Sequence, residues 1–171
     1  KMQLVDVLWG KVKMILKVKE FKQTRGYCGP TSLKIVMGYY GLNCSERTLA
    51  TLANSSRTEG TPPSNLVNTA KILGFASRFR TGCSVQDLEK QIKEKRPVII
   101  NWFPEYIGEG HYSVVTGFDK INIHYIDPFS GKKYRISKPS LLENWYDFEG
   151  DIPPENKSRY IRRGMITIRK R

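Results

Sequence analysis

Acidic residues, histidines and cysteines are all scarce in this chain. It has 16 acidic against 29 basic residues, two histidines and three cysteines, Cys28, Cys44 and Cys83. Neither an H-x-H nor an H-E-x-x-H pattern occurs, and no two cysteines form a C-x-x-C pair. These absences argue against a zinc site and against a disulfide framework. We therefore expect no metal, free thiols and a reducing, cytoplasmic compartment.

Long apolar runs and targeting signals are also missing. No apolar run approaches the length of about 18 residues that a membrane-spanning helix needs, so no transmembrane segment is predicted. No signal-peptide pattern opens the chain, which leaves secretion without support. With 171 residues, 39% of them hydrophobic, the chain is long enough for one globular domain, expected to include residues 1–171.

The excess of positive charge is large, at +13. Lysine and arginine recur through residues 11–25 and 157–171. A solvated surface that keeps the protein in solution is the simplest interpretation. Attraction to an anionic partner, such as a membrane, a nucleic acid or an acidic peptide, is the alternative. No recognisable nucleic-acid-binding module accompanies the charge.

The first half of the chain has helical periodicity. We predict one helix after Gly29-Pro30 that ends at Gly41, and three more that begin after the N-cap residues Ser45, Ser64 and Ser84. The third of these four helices ends at Gly74, and the fourth ends near Lys95.

The second half has the short apolar runs of β-strands. Residues 97–102 predict a buried strand, and further strands are predicted at 111–118, 121–126, 133–136 and 165–168. Residues 139–148 predict a short helix or turn. The order predicts an α+β domain, with N-terminal helices packed on a C-terminal antiparallel sheet.

Cys28 lies where the first helix begins, with Gly29 and Pro30 in its first turn. Proline is well tolerated there. The partial positive charge of a helix N-terminus favours a thiolate over a thiol, which suits a nucleophile. The alternative is a buried, inert cysteine, which is common in folded proteins.

His111 and Asp127 occupy the two ends of a predicted hairpin. His111 follows Gly108-Glu109-Gly110 at the mouth of one strand, and Asp127 ends the next. Antiparallel pairing brings these ends together, so Asp127 can orient His111 as a base. Taken singly, each residue has an ordinary explanation. A lone histidine, such as His124, is more often a surface or core residue than a base, and Asp127-Pro128 alone is typical of a plain turn.

Gln23 lies five positions before Cys28. Its amide can donate a hydrogen bond to a developing oxyanion, beside the backbone N–H of the nucleophile. The alternative is an exposed polar residue. Together, the nucleophile, base, orienting carboxylate and amide donor predict Cys/His/Asp acyl-transfer chemistry.

The residues Gln23…Cys28-Gly29-Pro30, Gly110-His111-Tyr112 and Asp127-Pro128 resemble the C39-like branch of the papain-like cysteine peptidases. The resemblance extends over roughly residues 18–148. It implies a papain-like fold, with Cys28 as nucleophile, His111 as base, Asp127 as orienting residue and Gln23 as oxyanion donor, and it implies no cofactor.

The best-known members of that branch are N-terminal domains of bacterial exporters, which remove leader peptides after a double-glycine motif. The resemblance thus implies a peptide or protein substrate with a Gly-rich cleavage site. The step from Gln23 to Cys28 is one residue shorter than in many relatives, and Gly26 can absorb the difference in a tighter turn. No transporter segment follows, so we expect a free-standing domain or a piece of a larger protein.

Two other functions remain open. The same site could transfer an acyl group to an amine or cleave small amides. The fold could also serve as an inactive peptide-binding module, although such a module has no need to keep Cys28, His111 and Asp127 together.

Overall fold

The computed structural model describes residues 13–148 and 154–171. The expected domain of residues 1–171 includes two segments, 1–12 and 149–153, that lie outside the described residues. The helices are α1 (Cys28–Tyr39), α2 (Glu46–Leu52), α3 (Pro63–Ile72), α4 (Val85–Lys93) and α5 (Lys138–Asn144). The strands are β1 (Met14–Ile15), β2 (Phe75–Arg80), β3 (Val98–Trp102), β4 (His111–Phe118), β5 (Asn122–Asp127), β6 (Lys132–Ser137), β7 (Tyr146–Phe148), β8 (Tyr160–Arg162) and β9 (Gly164–Lys170).

Most strands form one antiparallel sheet with the order β2-β9-β3-β4-β5-β6. Strand β1 pairs with the end of β4, and β7 pairs with β8 in a separate hairpin. Every residue of β3 and β4 is buried, as the apolar run in β3 predicts for a strand covered on both faces. The expected α+β class is confirmed.

Helix α1 packs on β4 and holds Cys28 at its first turn. Its buried residues include Leu33, Ile35, Val36 and Met37, which join the main hydrophobic core. This burial fixes the axis of the helix, and therefore the position of its N-terminus, relative to the strand that begins with His111. None of the helices in the described parts of the chain is both long and apolar enough to cross a bilayer.

Two of the three predicted N-caps are confirmed. The hydroxyl oxygen of Ser45 accepts a hydrogen bond from the Thr48 N–H at 3.0 Å, and that of Ser84 accepts one from the Asp87 N–H at 3.2 Å. The prediction for Ser64 was wrong. Helix α3 begins at Pro63 and has no side-chain cap, because proline already has the helical φ and no N–H to satisfy.

Strand β2 was not predicted from the sequence. It lies between α3 and α4 and pairs with β9 along its length. The sheet therefore takes β1 and β2 from the N-terminal half of the chain. Only Phe75 of β2 is fully buried, so the strand lacks the apolar run by which β3 could be recognised. Residues 139–148, for which the sequence predicts a short helix or turn, form most of α5 and the strand β7.

Candidate active site

Cys28 is the first residue of α1 and is half-buried. It follows a tight turn in which the Tyr27 N–H donates to the Thr24 carbonyl at 3.0 Å. Gly26 has φ +82° in this turn, a left-handed value that glycine adopts without steric cost. The tighter turn predicted at Gly26 is therefore present.

Gly26 also lies directly against the segment that contains Arg57. A methyl group at position 26 would overlap the Arg57 carbonyl oxygen and lie 2.7 Å from its Cα. The Arg57 guanidinium returns a hydrogen bond to the Arg25 carbonyl at 3.1 Å. The turn before Cys28 is thus held between α1 and this segment, which fixes the approach of the chain to the thiol.

His111 and Asp127 meet at one end of the sheet. The Nε2 atom of His111 lies 2.8 Å from Oδ1 of Asp127, and both side chains are at most 3% exposed. They lie on paired strands, His111 at the start of β4 and Asp127 at the end of β5. The hairpin geometry predicted from the sequence therefore brings these two residues together.

Asp127 accepts hydrogen bonds from two groups besides His111. The Phe129 N–H donates to its Oδ1 at 2.9 Å, and the Tyr106 hydroxyl donates to its Oδ2 at 3.2 Å. Burial favours the neutral acid, but the bonds to His111, Phe129 and Tyr106 outweigh it and lower the pKa of Asp127. An ionised carboxylate only accepts hydrogen bonds, so Nε2 of His111 carries a proton and Nδ1 is left for Cys28.

The pKa of His111 is raised to about 9. Burial alone would lower it, but the hydrogen bond to Asp127, the proximity of Cys28 and the charges of both groups favour the protonated ring. The imidazole is therefore an imidazolium at neutral pH. This places a positive charge between Cys28 and a buried carboxylate.

Gln23 lies beside the same turn as Asp127. Its backbone N–H donates to the Pro128 carbonyl at 2.8 Å, directly after Asp127 in the chain. The side chain is half-buried, and its Oε1 is buried without a hydrogen-bond partner among the described residues. The structure thus gathers Gln23, Cys28, His111 and Asp127 at the junction of α1, β4 and β5.

Three polar residues lie next to these four, and two of them, Tyr106 and Asp147, were not predicted from the sequence; Asn101 is an alternative to Gln23 as oxyanion donor. Tyr106 comes from the loop between β3 and β4, Asn101 from β3, and Asp147 from β7. The Asn101 side-chain N–H donates to Oδ2 of Asp147 at 3.0 Å. None belongs to a motif, and only the pairing of distant segments brings them to the site.

The other two thiols have different surroundings. Cys83 is fully buried, and burial raises the pKa of its thiol. Cys44 is half-buried and precedes α2. Within residues 13–148 and 154–171, no group of three His, Cys, Asp or Glu side chains is arranged to hold a metal ion.

Comparison with protein families identifies the group to which this chain is related. The sequence model described as "Peptidase_C39 like family" matches residues 15–152, a range that covers most of the chain and includes the four predicted site residues. The chain belongs to this family. Membership supports a peptidase of the cysteine type, as expected from the motifs around Cys28 and His111.

Similar curated proteins come from bacteria and archaea. The transport/processing ATP-binding protein ComA of Streptococcus pneumoniae is 34% identical over 125 residues, which are 69% of this chain and 16% of ComA. An uncharacterised protein of Methanothermobacter marburgensis is 35% identical over 112 residues, covering 65% of this chain and 72% of that protein. The chain therefore matches about a sixth of the length of ComA.

Solved structures show the same fold. The peptidase domain of Streptococcus ComA, described as a bifunctional ABC transporter, has a TM-score of 0.67 and 26% identity, with 91% of this chain and 98% of that domain covered. A double-glycine-motif protease from a transporter, solved with its leader peptide, has a TM-score of 0.66 and 20% identity, covering 91% of this chain and 93% of that one. The C39 peptidase fold predicted from the sequence is confirmed.

Proposed function

We propose that this member of the C39-like peptidase family hydrolyses peptide bonds through a Cys28-His111-Asp127 site. One observation carries the proposal: the buried His111 ring is hydrogen-bonded to Asp127 at 2.8 Å, and Cys28, at the first turn of α1, is close enough to His111 to shift the pKa of the ring. This is the relation of base to orienting carboxylate and nucleophile that acyl transfer needs.

The reaction begins with the thiolate of Cys28 and the imidazolium of His111. The sulfur attacks the carbonyl carbon of the substrate, and the carbonyl electron pair moves to oxygen. When the tetrahedral intermediate collapses, the C–N bond breaks and the leaving amine takes the proton from Nδ1 of His111. A thioester at Cys28 and a neutral imidazole remain.

Water completes the cycle. The neutral imidazole of His111 removes a proton from water as the oxygen attacks the thioester carbon. Collapse of the second intermediate expels the thiolate and releases the acid product. Asp127 stays ionised throughout. Its hydrogen bond keeps the His111 ring in one tautomer, and its negative charge stabilises the imidazolium.

The oxyanion needs donors on the side of the carbonyl oxygen. We assign this role to the Gln23 amide together with the backbone N–H of Cys28, which points out of the first turn of α1. The bond from the Gln23 backbone to Pro128 supports the assignment, because it holds Gln23 beside the Asp127 turn. The tight turn at Gly26 accounts for the short step to Cys28.

The substrate class follows from the relatives only by analogy. One structural neighbour is a double-glycine-motif protease bound to its leader peptide. We propose that this chain also cleaves a peptide or protein after a Gly-rich segment. The residues 1–171 would act as one peptidase domain, alone or within a longer protein.

A peptide library tests the proposal. The protein is incubated with the library and the cleavage sites are determined by mass spectrometry, with Cys28→Ala and His111→Ala as controls. Cleavage that requires both residues and clusters after glycine pairs supports the proposal. Cleavage that survives in Cys28→Ala, or no cleavage by the wild type, contradicts it.

The same assay separates hydrolysis from acyl transfer. An added small amine competes with water for the thioester, so a transferase would give an amide product at the expense of the free acid. We expect the free acid to dominate. Dominant amide product would reassign the chain as an acyltransferase, while binding without any covalent product would make it a peptide-binding module.

A further inference from the structure

Asp147 is a second carboxylate at the candidate site. It is the middle residue of β7, and its neighbours Tyr146 and Phe148 stack on Phe103, with ring centroids 5.6 and 5.4 Å apart. Because side chains alternate along a strand, Asp147 lies on the opposite side of β7 from these rings. The aromatic stack thus holds the carboxylate in the direction of β3 and β4.

Two donors fix the carboxylate. Oδ1 accepts the Phe148 N–H at 2.8 Å, and Oδ2 accepts the Asn101 side-chain N–H at 3.0 Å. Asn101 is 2% exposed, and its Oδ1 has no hydrogen-bond partner among the residues that the structure describes. An orphaned amide oxygen is unfavourable, so the orientation of Asn101 serves the bond to Asp147.

The carboxylate also packs directly on Gly110. A methyl group at position 110 would overlap Oδ1 of Asp147 and lie 2.8 Å from its Cγ. Gly110 immediately precedes His111, so any displacement of Asp147 toward β4 would move the residue before His111. The absence of a side chain at Gly110 is therefore what admits Asp147 to the site.

Asp147 interacts electrostatically with the proposed catalytic groups. Burial raises its pKa to about 6, against the opposing effects of the Phe148 N–H, Asn101 and the charge of His111. The charge of His111 is the smallest of these effects, and because the attraction acts on both groups, an ionised Asp147 also favours the His111 imidazolium. Two titratable groups of β4 are coupled to it: His111, whose charge lowers the pKa of Asp147, and Tyr112, whose pKa is raised by burial and then by the charges of Cys28 and Asp147. From β8, Ile161 lies opposite Asp147 in the hairpin and carries no charge.

We propose that Asp147 is a positioning residue of this site: bonded to Asn101 and packed on Gly110, it fixes the start of β4 and adds a second negative charge beside the His111 imidazolium. The inference rests on the proposed function, since His111 is the base of that mechanism. Asp127 then holds the His111 ring directly. Asp147 acts on the backbone that precedes His111 and on the positive charge of its imidazolium.

The test compares Asp147→Asn with the wild type. Asparagine keeps the volume and removes the charge, and Asn101 can rotate so that its unpartnered oxygen accepts from the new amide. The chain has two histidines, so the imidazole signals of His111 and His124 are readily assigned by NMR with His124→Gln. We expect the His111 titration midpoint to fall by about half to one pH unit in Asp147→Asn.

A matched control is Asp119→Asn. Asp119 is a carboxylate hydrogen-bonded to the other histidine, with Oδ2 2.7 Å from Nε2 of His124, and it lies in the β4–β5 turn. Removal of the Asp119 charge should leave the titration midpoint of His111 unchanged. A His111 midpoint in Asp147→Asn equal to that of the wild type and of Asp119→Asn would overturn the electrostatic role.

The packing role has its own test, which also serves if Asp147→Asn folds poorly. Gly110→Ala is measured alone and in Asp147→Ala, where room for the methyl group exists. The rate of Cys28 alkylation by iodoacetamide should fall about tenfold on Gly110→Ala alone and less than about threefold in the double variant. Equal effects in both backgrounds would refute the contact.

Neither readout needs turnover. If the wild type cleaves no peptide but Asp147→Asn still shifts the His111 titration, the proposed function fails and the role of Asp147 stands. If the wild type is an active peptidase, but Asp147→Asn leaves the His111 titration unchanged and Gly110→Ala has the same effect with and without Asp147→Ala, the proposed function stands and the role of Asp147 fails.

Discussion

Gly26→Ala is the substitution whose effect can be worked out most fully from the structure. Gly26 combines a left-handed backbone, φ +82°, with close contact to the Arg57 backbone. It lies between Gln23 and Cys28, so any shift that admits a methyl group changes the distance between the proposed oxyanion donor and the nucleophile.

The loss of stability expected for Gly26→Ala has two parts, which a control variant can separate. An alanine in the left-handed region costs about 1–2 kcal/mol, and overlap with a packed backbone adds about 1–3 kcal/mol. Gly41 has φ +87° and no neighbouring atom within 4 Å of the site of a methyl group. Gly41→Ala therefore carries the first cost alone.

Thermal unfolding and steady-state kinetics measure the difference. At this chain length each kcal/mol lowers Tm by about 2–4 °C, so Gly26→Ala should melt about 2–12 °C below Gly41→Ala. It should also lose kcat, because the Gln23–Cys28 turn must move, while Gly41→Ala keeps normal kcat. Equal Tm values together with unchanged kcat in Gly26→Ala would refute the view that this turn is held by close packing.

Three further predictions concern the site itself. Gln23→Ala should lower kcat by about 10²–10³ with little change in KM, because the bond forms mainly in the transition state; near-normal kcat would assign the donor elsewhere. Asp127→Asn should retain clearly more activity than Asp127→Ala, since the amide can still orient the ring; equal losses would mean that the site needs the charge. The pKa of His111 is raised to about 9 from an ordinary value of about 6.5. Its stabilising effect is therefore complete below pH about 6.5 and lost as the pH rises through about 9; the Tm advantage of the wild type over His111→Gln should shrink over this interval, and an advantage independent of pH would contradict the assignment.

The elements that carry Cys28, His111 and Asp127 could be predicted because each is marked locally. Gly29-Pro30 marks the start of α1, and the apolar alternation on both sides of Asp119-Lys120 marks the β4–β5 hairpin. Since a hairpin pairs its own ends, the meeting of His111 with Asp127 follows from local sequence. Gln23 was proposed from its amide group and its spacing to Cys28, and the resemblance supported it; its role remains a prediction.

The outer shell of the site could not be predicted, because long-range packing determines it. Asp147 is separated from Asn101 by 46 positions in the sequence, and nothing in Trp145-Tyr146-Asp147-Phe148 indicates which neighbour it meets. Tyr106 lies in a loop, where periodicity carries no information. Long-range packing also determines β2, whose partner β9 is far away in the sequence, close to the C-terminus.

The most direct test of the central claim is to trap the thioacyl-enzyme. The protein is mixed with a cleavable peptide and quenched in acid within the first turnovers, and intact-mass and peptide-mapping spectrometry then determine where the acyl group is attached. We predict a mass increase equal to the acyl part of the substrate, located on Cys28, absent in Cys28→Ala and abolished when His111 is replaced by alanine. Turnover with no adduct on Cys28, or an acyl group attached to Cys44 or Cys83, would contradict the mechanism.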